Sequence, residues 1–347
     1  MKNSNAKKPI WVKLTIIFLS ILLGLSIIFG GFVGYFKLSV KEYYDNSERT
    51  FEIPGLSTSF VPQGFCYAKT EDWFLTSGYI TDKSASPIYV VKQDSGKTLK
   101  SVKLYKDEDT PYTGHCGGVA VFDKYIYVAD GSDMCLYVFD FTKLKEANDG
   151  DKLISIGAFS TGNVKPSCVS VSGEGSSAKL YIAEFYREGN YDTADSHKLT
   201  TPVGDKNTAL AVQFSLSKYY NKSTFGIDKA PVRVYSLREQ VQGFTLSGNN
   251  IYLSTSYGLA FSEIFAYNTT KCSKGKIDIL DYKDVELYYL DSLSLITSFK
   301  APPMSEEMVI LNKKLYIMNE SACNKYIFGK FTDGKWCYAT DLTKYGL

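Results

Sequence analysis

Five pairs of polar residues recur along this chain at a common spacing. Gln63 precedes Ser77, His115 (with Gly117) precedes Asp130, Ser167 precedes Glu184, Gln242 precedes Ser256, and Glu306 precedes Glu320, each by about 13 to 17 residues. Their types suit a cation or a polyol. Hard cations take about six to eight oxygen ligands, and sugars need acceptors and donors side by side. Asp130, Glu184, Glu306 and Glu320 supply carboxylates, Gln63 and Gln242 amides, Ser256 a hydroxyl, and His115 a base or a metal ligand. Calcium is the cofactor such a set would take. The plainer reading is that polar residues at strand ends satisfy backbone groups and channel water, with His115 a structural hydrogen-bonder. The second histidine, His197, lies in a polar stretch and reads as exposed.

The segments between paired members explain the spacing. Gln242-Gly243-Phe244-Thr245-Leu246-Ser247 leads through Gly248-Asn249-Asn250 into Ile251-Tyr252-Leu253-Ser254, which is strand, turn, strand. Gln63-Gly64-Phe65, Gly117-Gly118-Val119, Ser167-Cys168-Val169 and Glu306-Glu307-Met308 open four similar segments. Each continues into two further strands, giving four-stranded units of about 50 residues. The first unit has strands at 63–67, 73–77, 88–91 and 99–104. The second has 118–122, 125–130, 135–140 and 153–159, and the third 168–172, 179–184, 209–215 and 231–236. The fourth reads as 243–247, 250–255, 285–290 and 294–299, and the fifth as 307–311, 314–319, 325–331 and 336–339. Frequent Tyr, Phe and β-branched residues agree with strands.

Four-stranded units repeated head to tail are propeller blades. The expected fold is therefore all-β, a five-bladed β-propeller (six blades is the alternative count) preceded by one N-terminal transmembrane helix. The strand near Phe51-Glu52-Ile53 is expected to complete the last blade. Inner strands line a central channel, so the five pairs should ring one mouth. The insertions at 186–207 and 257–283, leaving the second strands of units three and four, should rise over that mouth.

Ile88-Tyr89-Val90-Val91, Asp94-Ser95-Gly96-Lys97-Thr98 and Tyr125-Ile126-Tyr127-Val128-Ala129-Asp130 resemble the bacterial extracytoplasmic β-propellers of the YVTN-type and SMP-30/gluconolactonase-like superfamily. The resemblance spans about 61–340 and implies the fold. The calcium ligands of the lactonase-like members have no position-by-position counterpart here.

At the N-terminus, Lys2, Lys7, Lys8 and Lys13 precede an uncharged run from Leu14 to Phe36. That run is about 34 Å long as helix, enough for a hydrocarbon core of about 30 Å. It lacks an A-x-A cleavage pattern and a nearby Cys, which favours an uncleaved anchor over a signal peptide or a lipoprotein. The expected order is a cytoplasmic basic tail at 1–13, the membrane helix at 14–36, a linker with the closing strand at 37–60, and an extracellular propeller at 61–347. Gly24, Gly30, Gly31 and Gly34 could pair helices but are equally tolerated in a lone span.

The seven cysteines follow the span, with Cys323 and Cys337 the nearest pair for a disulfide and Cys66 and Cys168 reading as small buried hydrophobes. A near-neutral charge with no basic stripe excludes nucleic acid as a partner. Gly96-Lys97-Thr98 lacks the first Gly of a phosphate loop. Gly114-His115-Cys116-Gly117-Gly118 spells a nucleophile elbow but precedes a strand rather than a helix. No complete catalytic constellation emerges. The expected role is a binding module for a polar small molecule, a glycan or envelope polymer, or a protein. The alternatives are a cation-dependent lactonase or esterase using His115 as proton carrier, and a scaffold without ligand.

Overall fold

The structure, a computed structural model, describes residues 9–219 and 222–347; Lys2, Lys7 and Lys8 of the basic tail lie outside them. It divides into two units, 1–41 and 42–347. In the first, helix α1 (Ile10–Ser39) has 30 residues, and its only charges are Lys13 and Lys37 near its ends. It is longer than the uncharged run because Ile10, Trp11 and Leu38 extend the apolar surface. By length and composition it can cross a membrane.

The second unit begins its sheets with β1 (Ser47–Glu52) and continues into five blades. Blade one is β2 (Phe60–Ala68), β3 (Trp73–Ile80), β4 (Pro87–Lys92) and β5 (Thr98–Tyr105). Blade two is β6 (Val119–Phe122), β7 (Tyr125–Asp130), β8 (Cys135–Asp140) and β9 (Lys152–Ser160). Blade three starts with β10 (Cys168–Ser172) and β11 (Lys179–Ala183). After the short pair β12 (Leu199–Thr200) and β13 (Lys206–Asn207), it ends with β14 (Ala209–Leu216) and β15 (Ile227–Leu237). Blade four has β16 (Val241–Ser247), β17 (Asn250–Thr255) and β18 (Ser262–Asn268). The hairpin β19 (Ser273–Ile279) and β20 (Tyr282–Tyr289) then precedes its outer strand β21 (Leu295–Ala301). Blade five is β22 (Ser305–Leu311), β23 (Lys314–Asn319) and β24 (Trp336–Asp341), with β1 added antiparallel to β24 from Ser47 opposite Thr340 to Glu52 opposite Trp336. The ring is a five-bladed propeller closed by its first strand.

Side-chain alternation builds the cores between blades. Successive residues of a strand face opposite sides. Ile126 and Val128 of β7 therefore pack on Leu75, Ile88 and Val90 of blade one, while Tyr127 and Ala129 pack on Leu180 and Ile182 of blade three. Tyr181 and Ala183 turn the other way, onto Ile251 and Leu253 of blade four, and Phe51 of β1 joins Phe65, Phe74 and Met318 between blades five and one. A strand sandwiched between two blades is buried on both faces, which is why Tyr125–Asp130 is apolar almost throughout and buried at every position. All seven cysteines are buried free thiols, Cys323 and Cys337 among them. Burial pushes the Cys116 and Cys337 thiols up to about 12.

Three sequence expectations are corrected. The third strand of blade four is β18, not 285–290. That segment is β20, which pairs in parallel with the outer strand of blade three (Val234 opposite Leu287), anchored by Arg233 and Glu286 at 2.6 Å. It follows that 257–283 is not a loop over the mouth: only 256–261 leaves β17 there, and the rest is a strand and an edge hairpin. In blade five, 325–331 is no strand. Ile327 adopts φ 52° and a 3-10 turn follows at Phe328–Lys330, so β24 is the third strand and β1 the fourth.

Candidate functional site

Inner strands enter the ring through irregular backbone. Pairing registers break between Pro62 and Phe65, Val241 and Gly243, and Ser305 and Met308. Gln63, Gln242 and the Glu306-Glu307 pair occupy these bulges, which re-aim side chains. Non-glycine residues with positive φ precede three inner strands: Cys116 (56°), Gln240 (61°) and Met304 (64°). Two of these turns are tied to the end of the second strand of their blade, by Ser256 N–H donating to Gln240 O (3.0 Å) and Glu320 N–H to Met304 O (3.1 Å). The paired polar residues of blades four and five thus open on one side of their blades.

The innermost position of each strand is crowded. A Cβ on Gly64 would lie 2.8 Å from the backbone of Gly118 and Val119, one on Gly118 2.7 Å from Cys168 Cα, and one on Gly243 2.7 Å from Glu306 O. In blade five this position holds Glu307, which reaches across the space the glycines leave. Its Oε2 accepts from Phe65 N (2.6 Å) and Val119 N (3.3 Å), and its Oε1 from Val169 N (3.0 Å). One carboxylate thereby joins the inner strands of blades one, two and three to blade five. Burial pushes this carboxyl above the ordinary range, while the three N–H donors favour the charged form.

Beside this hub, Gln63 Nε2 donates to Glu320 Oε2 (2.7 Å) and to Pro62 O (2.8 Å). Glu306 is 2% exposed, and beyond the carboxyl of Glu320 its Oε1 has no hydrogen-bond partner. Burial and the adjoining carboxyl of Glu320 raise Glu306 well above the carboxylate range. Burial also raises Glu320, to about 8, against the pull of Lys325 and of hydrogen bonds from Gln63 and Glu306. Burial and like charge keep the pair protonated at pH 7, with Glu306 hydrogen-bonded to Glu320, because two like charges at contact cannot both be kept in a dry site.

A rim of aromatic and cationic groups adjoins them. Lys325 Nζ donates to Tyr79 Oη (2.6 Å) and lies 5.0 Å from the ring centres of Tyr79 and Tyr326. Tyr79 stacks on His115 at 4.6 Å and 27°. His115 is open to solvent by surface area, yet protein closely surrounds it. Both observations hold for a wall residue of a concavity. That enclosure and Lys325 pull it down to about 4, with Asp130 pulling the other way, so the imidazole is neutral at pH 7.

Of the sequence-selected residues, Gln63, Glu306 and Glu320 are in contact, and His115 joins them through Tyr79, whose hydroxyl Lys325 engages. Asp130 is buried near His115, its Oδ1 accepting from Ser132 N and Asp133 N (both 2.8 Å). The other three have separate surroundings. Ser256 accepts from Ser262 Oγ (3.0 Å), and Gln242 is half-buried. Glu184 is fully engaged: it accepts from Lys165 N (3.1 Å) and Leu210 N (3.0 Å) and meets His197 Nδ1 at 3.0 Å. His197 is therefore buried, 1% exposed, rather than exposed. Asn163 Nδ2 at 3.1 Å from His197 Nε2 completes the chain and leaves Nδ1 to donate to Glu184. Glu184 pins the 186–207 insertion to its blade. Among the described residues, no three His, Cys, Asp or Glu side chains converge as a metal-binding group.

The residues missed from sequence are Glu307, Tyr79, Lys325 and Tyr326. Only Glu307 carried a signal: it stands where Gly64, Gly118 and Gly243 stand in the repeats. No family model and no curated protein sequence matches the chain. Among solved structures it is similar to Myxococcus xanthus glutaminyl cyclase (8% identity, TM-score 0.40, 85% of this chain and 94% of that one). It is also similar to Phanerochaete chrysosporium exo-β-1,3-galactanase (10%, 0.44, 86% and 66%) and to a PQQ-bound aldose sugar dehydrogenase of Streptomyces coelicolor (11%, 0.38, 78% and 76%). At these scores no activity carries over, and the propeller assignment rests on the chain's own sheet topology.

Proposed function

We propose that this chain is a membrane-anchored extracytoplasmic propeller that binds a polar ligand at the mouth formed by Gln63, Glu306 and Glu320. The observation that carries this is Glu306 Oε1, a buried oxygen with no partner beyond the neighbouring carboxyl of Glu320. Such an atom costs roughly 1–3 kcal/mol, more when charged, and a ligand donor would recover that cost. The rim of Tyr79, His115 and Tyr326 adds flat surfaces suited to a small molecule or a glycan terminus. A cation-polarised hydrolase would need oxygen ligands converging beside His115, and the described residues offer no such group, so binding is the reading kept. Helix α1 acts as the anchor, with the basic tail cytoplasmic and the propeller outside.

Thermal unfolding of the full chain in detergent micelles, screened against polyols, amides and amines, tests the site. At least one class should raise the midpoint by a few degrees in the wild type and leave Glu306→Gln unmoved. Equal shifts in both proteins would remove the mouth as the site. Protease added to intact cells should cleave the propeller, and protection from it would overturn the orientation.

A further inference from the structure

Backbone N–H groups from three different blades converge on one point among the inner strands. Phe65 N of β2 and Val119 N of β6 lie 2.6 and 3.3 Å from Glu307 Oε2, and Val169 N of β10 lies 3.0 Å from Oε1. Glycine makes the convergence possible. Gly64 and Gly118 precede the first two donors, and a Cβ on either would lie 2.8 Å or less from the backbone of the next blade. The chemistry of the cluster is selective. All three groups hydrogen-bonded to the Glu307 oxygens are donors, and the residue is fully buried at 0% exposure. A protonated carboxyl or a carboxamide brings a donor of its own that needs an acceptor, whereas a carboxylate brings acceptors only. Among the described residues no Lys or Arg pulls on Glu307, so peptide dipoles alone face the charge, as they do in other concave backbone sites for anions. Burial opposes ionisation, and two or three backbone donors on one carboxylate are enough to outweigh it.

We propose that the inner strands of blades one, two and three form an anion hole for a carboxylate, which Glu307 of blade five fills as an intramolecular ligand. The hole is a binding site in its own right: its donors are main-chain groups that stay in place whatever side chain stands at 307. The matching free ligand is a small monocarboxylate, since the atoms of Glu307 beyond Cβ are those of acetate. This site is separate from the ligand reading of the mouth and does not depend on it. The two are linked only through the chain. Glu306 and Glu307 are consecutive residues of one bulge, so the occupied hole also fixes the backbone from which Glu306 reaches the mouth.

Glu307→Ala leaves a space of acetate's size lined by the three donors. Thermal unfolding of the full-length variant in maltoside micelles at pH 7 is compared in sodium acetate, in acetamide and in sodium chloride, all at matched ionic strength. The midpoint should stand a few degrees higher in acetate than in chloride and climb with the logarithm of acetate concentration, as binding to the folded state alone requires. Acetamide, which has the same shape without the charge, should leave it unmoved. The wild type, with its hole filled, should not distinguish acetate from chloride. No rise in acetate would overturn the proposal, and so would an equal rise in the wild type. A rise with acetamide equal to that with acetate would show that the space needs filling but not a charge, and would overturn it as well. If Glu307→Ala folds in none of the three solutions, Glu307→Gln decides. That side chain fills the same space but sets an N–H2 group against backbone donors, so it should unfold several degrees below the wild type, and a midpoint equal to the wild type's would overturn the anion hole.

Discussion

Glu307 shows how much one side chain can hold. Its carboxylate satisfies three buried amides belonging to three different blades, so Glu307→Ala orphans Phe65, Val119 and Val169 N–H together. At roughly 1–3 kcal/mol each, urea unfolding should show a loss of about 3 kcal/mol or more. The neighbouring pair predicts a pH response. Glu306 and Glu320 are raised in the folded state, Glu320 to about 8, from about 4.3 unfolded. The folded state therefore holds more protons across this window. Stability from the pair is complete below the unfolded value and is lost as pH rises through about 8. Gln63, Lys325 and Glu307 face the pair and set its position. His115, lowered to about 4, acts only below about pH 6.5 and in the opposite direction. The melting temperature should fall between pH 6.5 and 8.5, and Glu320→Gln should flatten that slope; an unchanged slope in the variant would rule out the pair as its source. Adjacent glutamates cannot be ranked from sequence, because a one-residue slip in a strand exchanges its faces and the bulge at Glu306-Glu307 is such a slip.

The 186–207 insertion depends on a single buried contact set. His197→Ala removes the donor to Glu184 and the acceptor for Asn163, leaving a buried carboxylate short of one partner. Amide hydrogen exchange in 186–207 should speed up by about tenfold or more, corresponding to about 1.4 kcal/mol of lost closing energy, while exchange in β7 stays unchanged. Sequence polarity around His197 suggested exposure because Asp192, Asp195 and Lys198 crowd it, yet these lie outside while the imidazole turns in. Blade four was misread for a related reason. Strands 262–268 and 285–290 are both strongly apolar, and only the parallel pairing of β20 with β15 shows which one belongs to the blade. The repeated inner hairpins were legible because local turn signals fix them. An excursion hairpin that attaches to the previous blade leaves no local mark.

At the scale of the whole ring, closure by β1 was legible from the apolar Phe51 and Ile53 lying outside any complete blade. Phe51 sits between Phe65 and Phe74 with ring centres 6.1 and 5.4 Å away. Phe51→Ala should cost about 3–5 kcal/mol in denaturant unfolding, a large share of the stability of any single domain. The mouth was only partly legible. Blade-end residues could be paired by spacing, but the loop at 320–335 that brings Lys325 and Tyr326 beside Glu320 follows no repeat.

The first strand also imposes an order on synthesis. Ser47 Oγ meets Thr340 Oγ1 at 2.8 Å across 293 residues, so β1 emerges from the ribosome long before its partner exists. Until β24 arrives, the chain carries an unpaired strand and four blades with an open gap, and contacts this distant in sequence form slowly. Ring closure therefore cannot precede synthesis of β24, and a nascent chain stalled before Trp336 exposes two free sheet edges prone to pairing with other chains.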